Sequence, residues 1–384
     1  MKAIAILARA VLASLMATQV AARSDVKLLP PASDPDAAVA YQLNPGHSGS
    51  IQMSVGFSTK LKQAWSVSIN ENNSGIAYPV IADGLVFASG ITSDHSVTYA
   101  FDLKTGATKW SKTFKSSPPP LTYDNGLLFA QTFGGLLTAF QAKSGEVKWT
   151  IQLPDAAEFA VFPTAVDGHV YTAGDYDGGY LYSVNESLGS LDWELFGTDT
   201  GESSPAYGDK GLYVADPCQY YKFNPKNGNL EWHVDDGCHG GGSINPVSFN
   251  KRVYTQWIQD NLIHNSKDGA VVGSFAGYVP PAFFTDVKGH AFGVSVSNEG
   301  LTCWKVSTGT TAWTFKATDL STPAIVVNGY VIVGSVGGKV YLFDSKKGRL
   351  LWTGDVVYSV SSLAAGDGAL VVGSANSVTA FVPQ

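Results

Sequence analysis

The sequence is poor in charge. Charged residues make up 15% of the 384 residues, and the formal net charge is −7. Nucleic acids and anionic membranes are bound through basic patches, so this composition argues against both as partners. Beyond residue 22, no stretch approaches the ~20 apolar residues that a membrane-spanning helix needs. We therefore expect no nucleic-acid partner and no membrane span.

Familiar catalytic motifs are also missing. The sequence contains no Gly-x-Ser-x-Gly elbow, no His-Glu-x-x-His pair and no Cys-x-x-Cys pair. Its seven histidines are scattered along the chain. His47, in the stretch PGHSG, is a candidate functional residue if the N-terminal leader folds over the channel of the domain that follows, and a turn histidine otherwise. The sequence identifies no catalytic residues.

Only three cysteines are present, Cys218, Cys238 and Cys303. In an oxidising compartment Cys218 and Cys238 could pair, and a metal site with the neighbouring His and Asp side chains is the alternative. We predict the disulfide and no metal site. Cys303 lies in the strand pattern GLTCWKV, which predicts a buried, unreactive thiol.

The N-terminus has the pattern of a secretory signal peptide over residues 1–22. Lys2 is followed by a mostly apolar run and then by Val20-Ala21-Ala22, which resembles a cleavage site. We expect an exported protein, either secreted or periplasmic, and no lipid anchor, because no cysteine lies near that site. Residues 23–60 form a leader that we expect to lie as a strap or arm on the surface of the domain that follows.

What the sequence has in abundance is a repeated hairpin. In AFDLKTGATKW, residues 100–110, alternating apolar residues predict a strand, Lys104-Thr105-Gly106 a tight turn, and a second strand follows and ends on Trp110. The same spacing from turn glycine to tryptophan recurs at five other places along the chain. These are Gly145 to Trp149, Gly189 to Trp193, Gly228 to Trp232, Gly309 to Trp313 and Gly348 to Trp352.

Each hairpin follows a segment that opens with proline and is divided into two strands by a turn. Four strands in about forty residues is the pattern of a β-propeller blade. One unit, Pro246 to Phe275, carries Gly273 where the tryptophan is expected, and we interpret Phe275 as compensating for the loss. The regular units run from Pro79 to Trp110, Pro120 to Trp149, Pro163 to Trp193, Pro205 to Trp232, Pro281 to Trp313 and Pro323 to Trp352.

The two chain ends predict how the ring closes. Residues 363–382 supply three strands without a tryptophan, whereas LKQAWSV, residues 61–67, resembles an isolated last strand. Pairing them would complete an eighth blade and remove two exposed sheet edges. The sequence thus predicts an all-β, eight-bladed propeller of four-stranded blades over residues 61–384. The predicted blade-docking residues are Trp65, Trp110, Trp149, Trp193, Trp232, Trp313 and Trp352.

The repeat, with its core (Tyr/Phe)-x-(Phe/Val)-(Asp/Asn)-x-x-(Thr/Ser)-Gly-x-x-x-Trp, resembles the PQQ-like β-propeller repeat from about Leu61 onward. That family includes quinoprotein alcohol dehydrogenases and the outer-membrane assembly factor BamB, and the resemblance implies the eight-bladed fold. For a quinoprotein it further implies adjacent cysteines, a cation-binding cluster and an Arg or Lys over the channel. The sequence has no adjacent cysteines. We predict no cofactor, with PQQ plus calcium as the alternative.

In a propeller the loops between blades and those between the second and third strands lie on one face, around the channel mouth. The stretch DYD at 175–177 could bind calcium or a sugar or be a polar turn, and Trp257 could serve a carbohydrate platform or the packing. The ligand-binding candidates are Asp175, Tyr176, Asp177, Asp235, Asp236, His239, Trp257 and Asp260.

We predict a monomeric, non-catalytic binding or scaffolding propeller that engages a protein, peptide or carbohydrate. The alternative is an enzyme, either a minimal PQQ-dependent oxidoreductase or a polysaccharide-degrading enzyme that uses carboxylates at the channel mouth. Asn72 and Asn185 begin glycosylation sequences that would be used only in a eukaryotic host.

Overall fold

The computed structural model describes residues 35–71, 74–175, 178–198, 203–216, 218–237, 245–257 and 261–384. Within these residues the regular structure is β, apart from one turn of 3-10 helix, η1 (Tyr41–Leu43). The predicted signal peptide lies outside the described residues, and so does Asn72. The boundaries at residues 22 and 60 therefore remain predictions.

Eight sheets of four antiparallel strands are arranged as blades, and seven of them use four strands that are consecutive in the chain. Blade 1 contains β3 (Val80–Ala82), β4 (Leu85–Ile91), β5 (Ser96–Asp102) and β6 (Thr108–Phe114). Blade 2 contains β7 (Leu121–Asp124), β8 (Leu127–Gln131), β9 (Leu136–Gln141) and β10 (Val147–Gln152). Blade 3 contains β11 (Thr164–Val166), β12 (His169–Gly174), β13 (Tyr180–Asn185) and β14 (Leu191–Phe196). Blade 4 contains β15 (Ala206–Gly208), β16 (Gly211–Asp216), β17 (Gln219–Phe223) and β18 (Leu230–Asp235).

The second half of the ring repeats this arrangement. Blade 5 contains β19 (Val247–Phe249), β20 (Arg252–Gln256), β21 (Asn261–Asn265) and β22 (Val271–Ser274). Blade 6 contains β23 (Ala282–Thr285), β24 (Ala291–Ser297), β25 (Gly300–Lys305) and β26 (Thr311–Lys316). Blade 7 contains β27 (Ile325–Val327), β28 (Tyr330–Gly334), β29 (Lys339–Asp344) and β30 (Leu350–Asp355), and the short β1 (Ser50–Ile51) pairs in parallel with β27. Blade 8 contains β31 (Val360–Gly366), β32 (Ala369–Ser374), β33 (Ser377–Pro383) and β2 (Leu61–Ser68).

The ring closes as the sequence predicts. In blade 8 the N-terminal strand β2 pairs antiparallel with the C-terminal strand β33, and Trp65 lies opposite Ala380. The two ends of the propeller chain therefore share one sheet, which leaves no unpaired strand where the ring begins and ends. The predicted all-β, eight-bladed fold is confirmed.

Burial falls from the channel outward. The first strands of blades 1, 3, 4 and 7 (β3, β11, β15 and β27) are buried along their whole length, because each is covered by its neighbours on both faces. The last strands, such as β10, are largely exposed. The hydrophobic core therefore consists of layers between neighbouring blades rather than one central cluster.

Tryptophan closes seven of the eight seams between blades. Each indole Nε1 donates a hydrogen bond of 2.7–3.1 Å to a backbone carbonyl of the next blade. The donor and acceptor pairs are Trp65 with Leu103, Trp110 with Ala142, Trp149 with Glu186, Trp193 with Pro225, Trp232 with Ser266, Trp313 with Ser345 and Trp352 with Leu61. One repeated contact thus holds most of the rim together.

The N-terminal segment differs from our expectation. We expected residues 23–60 on the surface, but residues 36–51, which we call the axial segment, are largely buried. The segment is buried because it lies against the innermost strands, which donate hydrogen bonds to its carbonyl groups. It does not lie on the outside of the ring.

Candidate functional site

The axial segment contacts all eight blades. Its backbone carbonyls accept hydrogen bonds from main-chain N–H groups of seven blades, donated by Ile81, Tyr123, Tyr207, Ser248, Phe283, Val326 and Asp367. The remaining blade 3 is reached by the side chain of His47, whose Nε2 lies 3.4 Å from Thr164 Oγ1. A segment that meets the innermost part of every blade must lie in the central channel. The channel is therefore filled by the chain itself.

His47 is sealed inside this segment. Its side chain is fully buried, and its Nδ1 lies 3.1 Å from the carbonyl oxygen of Pro246. Because a carbonyl only accepts, Nδ1 carries the proton in this contact. Burial lowers the pKa of His47 to about 4. His47 is thus neutral at physiological pH and without access to solvent, which is the environment of a structural histidine.

An aromatic cluster joins the axial segment to residues that precede the first strands of blades 1 and 3. The ring of Tyr41 packs against His47 at 5.1 Å, Tyr78 at 4.6 Å and Phe162 at 5.1 Å between centroids. Burial raises the pKa of Tyr41 to about 12, although hydrogen bonds to Asn245 and Tyr78 oppose the shift. Tyr78, Phe162 and Asn245 precede the first strands of blades 1, 3 and 5 and are only half-buried. Tyr78, Phe162 and Asn245 are thus the accessible residues of this cluster, and Tyr41 is buried beneath them.

The loops predicted to share a face do so. Asp175, in the turn after the second strand of blade 3, donates its N–H to Glu158 in the loop that enters this blade. In blade 4 the N–H of Asp236 donates to the carbonyl of Cys218 at 2.8 Å. We call the face that carries these loops the channel-mouth face.

The predicted ligand-binding residues that the structure describes lie on blades 3, 4 and 5 of this face. Asp175 is exposed on blade 3, and Trp257 is half-exposed on blade 5. Asp235 of blade 4 accepts hydrogen bonds from Gln219 and from the N–H of Gly237. Tyr176, Asp177, Cys238, His239 and Asp260 lie outside the described residues. Among the described residues, no group of three or more His, Cys, Asp or Glu side chains is placed to hold a metal ion.

The cysteine predictions have different outcomes. Cys303 is a free thiol, completely buried in β25, and burial raises its pKa to about 12. The prediction of an inert buried thiol is confirmed. Cys218 lies buried in the turn between β16 and β17, while its predicted partner Cys238 is outside the described residues. The disulfide remains a prediction.

The sequence analysis missed four exposed aromatic residues. Phe133, Phe196, Tyr278 and Tyr358 are each more than 40% exposed. All four lie in, or at the edge of, a loop of the channel-mouth face. They lie outside the repeated positions, so the repeat pattern gave no reason to single them out. The sequence did hold one signal for them: they are large apolar residues in loops where most blades carry glycine or polar residues.

Comparison with known proteins identifies the family. The family model described as outer membrane protein assembly factor BamB matches residues 93–235 and 297–384, which is more than half of the chain. The chain therefore belongs to this family. No helix within the described residues is long and apolar enough to cross a membrane.

Similar proteins fall into two groups. The dehydrogenase subunit of alcohol dehydrogenase (quinone) from Gluconobacter oxydans (strain 621H) is 28% identical over 171 residues, which cover 38% of this chain and 22% of that protein. The outer membrane protein assembly factor BamB of Yersinia pestis is 24% identical over 256 residues, covering 57% and 63%. The chain thus spans less than two thirds of the length of either relative.

Solved structures show the same fold. A europium-containing methanol dehydrogenase superimposes with a TM-score of 0.70 at 13% identity, covering 88% of this chain and 89% of that one. BamB from Moraxella catarrhalis superimposes with a TM-score of 0.64 at 16% identity, covering 84% and 99%. At these identities the likeness concerns the propeller fold alone.

The described residues of the channel do not fit the quinone site that the resemblance implies. The axis is occupied by Tyr41 and His47, and the rings of Tyr78 and Phe162 close over them. None of the eight first strands contains a Lys or Arg that could face an anionic cofactor. The fold is shared with the quinoproteins, but the axial segment fills this channel and the first strands of the blades supply no basic side chain.

Proposed function

We propose that this protein is an exported, non-catalytic propeller that binds a protein partner on its channel-mouth face. The observation that carries the proposal is the placement of its exposed aromatic residues. Four Phe or Tyr side chains are exposed among the described residues, and all four lie on this face: Phe133, Phe196, Tyr278 and Tyr358. Rings of this kind are the usual anchors of protein interfaces.

Aliphatic side chains extend the same surface. Val336 is 58% exposed in the turn between β28 and β29, and Val357 is 82% exposed in the loop from blade 7 to blade 8. Together with Tyr358 they form an apolar group on one side of the channel, while Phe133 and Phe196 stand on blades 2 and 3 on another. Exposed apolar groups surrounded by polar loops mark interaction surfaces.

The filled channel supports binding rather than catalysis. Propellers that act on small molecules need a concave site with convergent polar groups. Here the axial segment occupies the channel, and the accessible wall above it is formed by Tyr78, Phe162 and Asn245. Two rings and one amide suit contact with a protein surface or peptide better than the binding of a polar substrate.

The proposal includes export and a disulfide between Cys218 and Cys238. This bridge would join two loops of blade 4 on the channel-mouth face, enclose about twenty residues and stabilise the fold by about 3 kcal/mol. N-terminal sequencing of the secreted protein should begin at Arg23. Mass spectrometry of a non-reduced digest should show the peptides of Cys218 and Cys238 joined, with Cys303 alkylated only after unfolding.

Site-specific photocrosslinking tests the binding face. A photoreactive amino acid is placed at Phe133, Phe196 or Tyr358, and as a control at Leu188 or Val287, which are exposed in turns on the opposite face. The variants are exposed to the exported proteins of the source organism. We expect one defined crosslinked partner from the three channel-mouth positions and none from the controls. Equal crosslinking from both faces would contradict the proposal.

A cofactor titration tests the enzyme alternative. The purified full-length protein is titrated with PQQ plus calcium while absorbance and Tm are recorded together. We expect no saturable change in either quantity, because the axial segment and the aromatic rings occupy the channel. A saturable shift in both, followed by oxidation of an alcohol or sugar, would show that the protein is a quinoprotein dehydrogenase.

A further inference from the structure

The closed seams of the rim share one indole-binding geometry. In six of them the ring lies on the turn glycine of the next blade, so close that an added Cβ would be 2.5–3.1 Å from ring atoms. These glycines are Gly106, Gly145, Gly189, Gly228, Gly269 and Gly348. The indole N–H reaches the backbone carbonyl three residues before the glycine, as in Trp232 with Ser266 and Gly269. The chain thus contains six copies of a slot shaped for tryptophan.

The slot between blades 5 and 6 has the same frame but no indole. Gly273 pairs with Ile263 in the register in which Trp232 pairs with Lys222, so Gly273 occupies the tryptophan position. The facing turn glycine, Gly309, has no atom within 4 Å of an added Cβ. It is also the only one of the seven turn glycines that is exposed.

The acceptor residue of this slot is less buried than its counterparts. Val306 stands three residues before Gly309 and is half-exposed, whereas the corresponding residues of the six closed seams that have a turn glycine, such as Ser266 and Ser345, are buried. Within the described part of the chain, no indole N–H is bonded to the Val306 carbonyl. A donor entering the slot would therefore find an acceptor in the position that the other seams use.

Two neighbouring rings close only part of the gap. Trp304 stands where blades 1, 2 and 7 carry Phe101, Phe140 and Phe343, and it stacks on Phe275 at 6.0 Å and 13°. This stack protects the interior, since Trp304 is only 5% exposed. The predicted compensation by Phe275 therefore applies to the core, but the stack leaves Gly309 open at the rim.

The strand beside the gap is apolar and exposed. Val272, next to Gly273, is 48% exposed. At the corresponding position blades 1 to 4 carry Lys109, Lys148, Asp192 and Glu231, whereas blades 6, 7 and 8 carry Ala312, Leu351 and Ala64. The missing tryptophan is thus accompanied by an exposed valine, which extends the apolar surface around the gap instead of covering it with charge.

We propose that the seam between blades 5 and 6 is a binding notch for a tryptophan side chain of a partner protein. The ring would lie on Gly309, and its N–H would donate to the Val306 carbonyl. The occupant is inferred from the six slots of this chain that hold an indole in that geometry. The chain's own seven rim tryptophans are all engaged in their seams. The notch lies on the rim, so it does not depend on binding at the channel-mouth face.

The probe for the notch is N-acetyl-L-tryptophanamide, with binding followed by saturation-transfer NMR. Three proteins are compared: wild type, Gly273→Ala, which leaves the notch open, and Gly273→Trp, which fills it from within the chain. An added Cβ at Gly273 meets only Ile263 Cδ1, at 3.6 Å, so the backbone at this position accepts the Cβ atom that both variants introduce. We expect equal binding to wild type and Gly273→Ala, and at least a tenfold loss with Gly273→Trp.

A matched ligand tests the hydrogen bond. The 1-methylindole derivative of the probe keeps the ring but has no N–H to donate to Val306. It should bind roughly fivefold more weakly than the probe, as expected for one lost hydrogen bond. Equal affinity would contradict the proposed orientation of the ring.

Photocrosslinking of wild type covers the case in which Gly273→Trp does not fold. A diazirine derivative of the probe should label peptides that contain residues 271–274 or 306–310. Labelling confined to other regions, or no saturable binding to wild type, would overturn the proposal. If wild type is a dimer that Gly273→Trp converts to a monomer, the notch is filled by a second copy and a separate partner is excluded.

Discussion

The rim and the axis of this propeller are held together in different ways. On the rim, one contact is used seven times, with an indole donating to the neighbouring blade. On the axis, one segment of sixteen residues meets the eight blades through contacts that differ from blade to blade. The rim joins neighbours, whereas the axial segment joins blades across the ring. The two devices should therefore fail differently when they are disturbed.

The largest effect is expected on the rim. Trp232 is 8% exposed, and its ring lies on Gly269 and packs 6.0 Å from Tyr213. Trp232→Ala removes an indole from a packed seam and leaves the Ser266 carbonyl without its donor. We expect a loss of about 3–5 kcal/mol in the free energy of unfolding, measured by urea titration. Gly273→Ala, at the same position of the open seam, is the control and should change stability by less than ~1 kcal/mol. Equal losses would show that the indole contact does not hold the rim.

The next effect concerns the axis and depends on pH. Burial lowers the pKa of His47 from 6.5 to about 4, so the unfolded chain binds a proton in this range and the folded protein does not. The stability from neutral His47 is complete above pH 6.5 and is lost as the pH falls toward 4, by up to about 3 kcal/mol. In His47→Gln the free energy of unfolding should fall less between pH 6.5 and pH 4 than in wild type, as measured by the urea midpoint at each pH. If His47→Gln loses as much stability as wild type over this pH range, His47 does not cause the loss.

The difference between rim and axis also decides what the sequence reveals. The spacing from Gly106 to Trp110 recurs, so the blades and the chain-end pairing of blade 8 could be predicted without a structure. The axial segment occurs once. Nothing in residues 36–51 repeats, and His47 finds Pro246 and Thr164 at sequence separations of 199 and 117. Contacts between residues so far apart in the sequence leave no periodic signal when the residues do not belong to a repeat. For this reason we expected the segment on the surface.

A smaller effect is expected at one rim seam where the acceptor carries a carboxyl group. The Glu186 backbone accepts the Trp149 indole, and its buried side chain lies beside Asp124 and Asn125. Burial, followed by repulsion from Asp124, raises the pKa of Glu186 to about 7. This raised pKa contributes stability below pH 4.5 that is lost as the pH rises through 7. Glu186→Gln should therefore be more stable than wild type by ~1–2 kcal/mol at pH 8 and no more stable at pH 5. A gain that is independent of pH would assign the effect to something other than this carboxyl group.

The smallest effect should come from adding the contact that blade 5 lacks. Gly273→Trp would place an indole against Gly309, but Trp304 and Phe275 already cover the interior part of that seam. The new side chain can therefore gain less than Trp232→Ala loses. We expect a gain of ~1 kcal/mol, or roughly 1–2 °C in Tm by calorimetry, against Gly273→Ala as the control. A lower Tm for Gly273→Trp would mean that the seam has closed around its two rings. A higher Tm would mean that a tryptophan at position 273 stabilises the fold. Stability alone would then not explain why this position is a glycine.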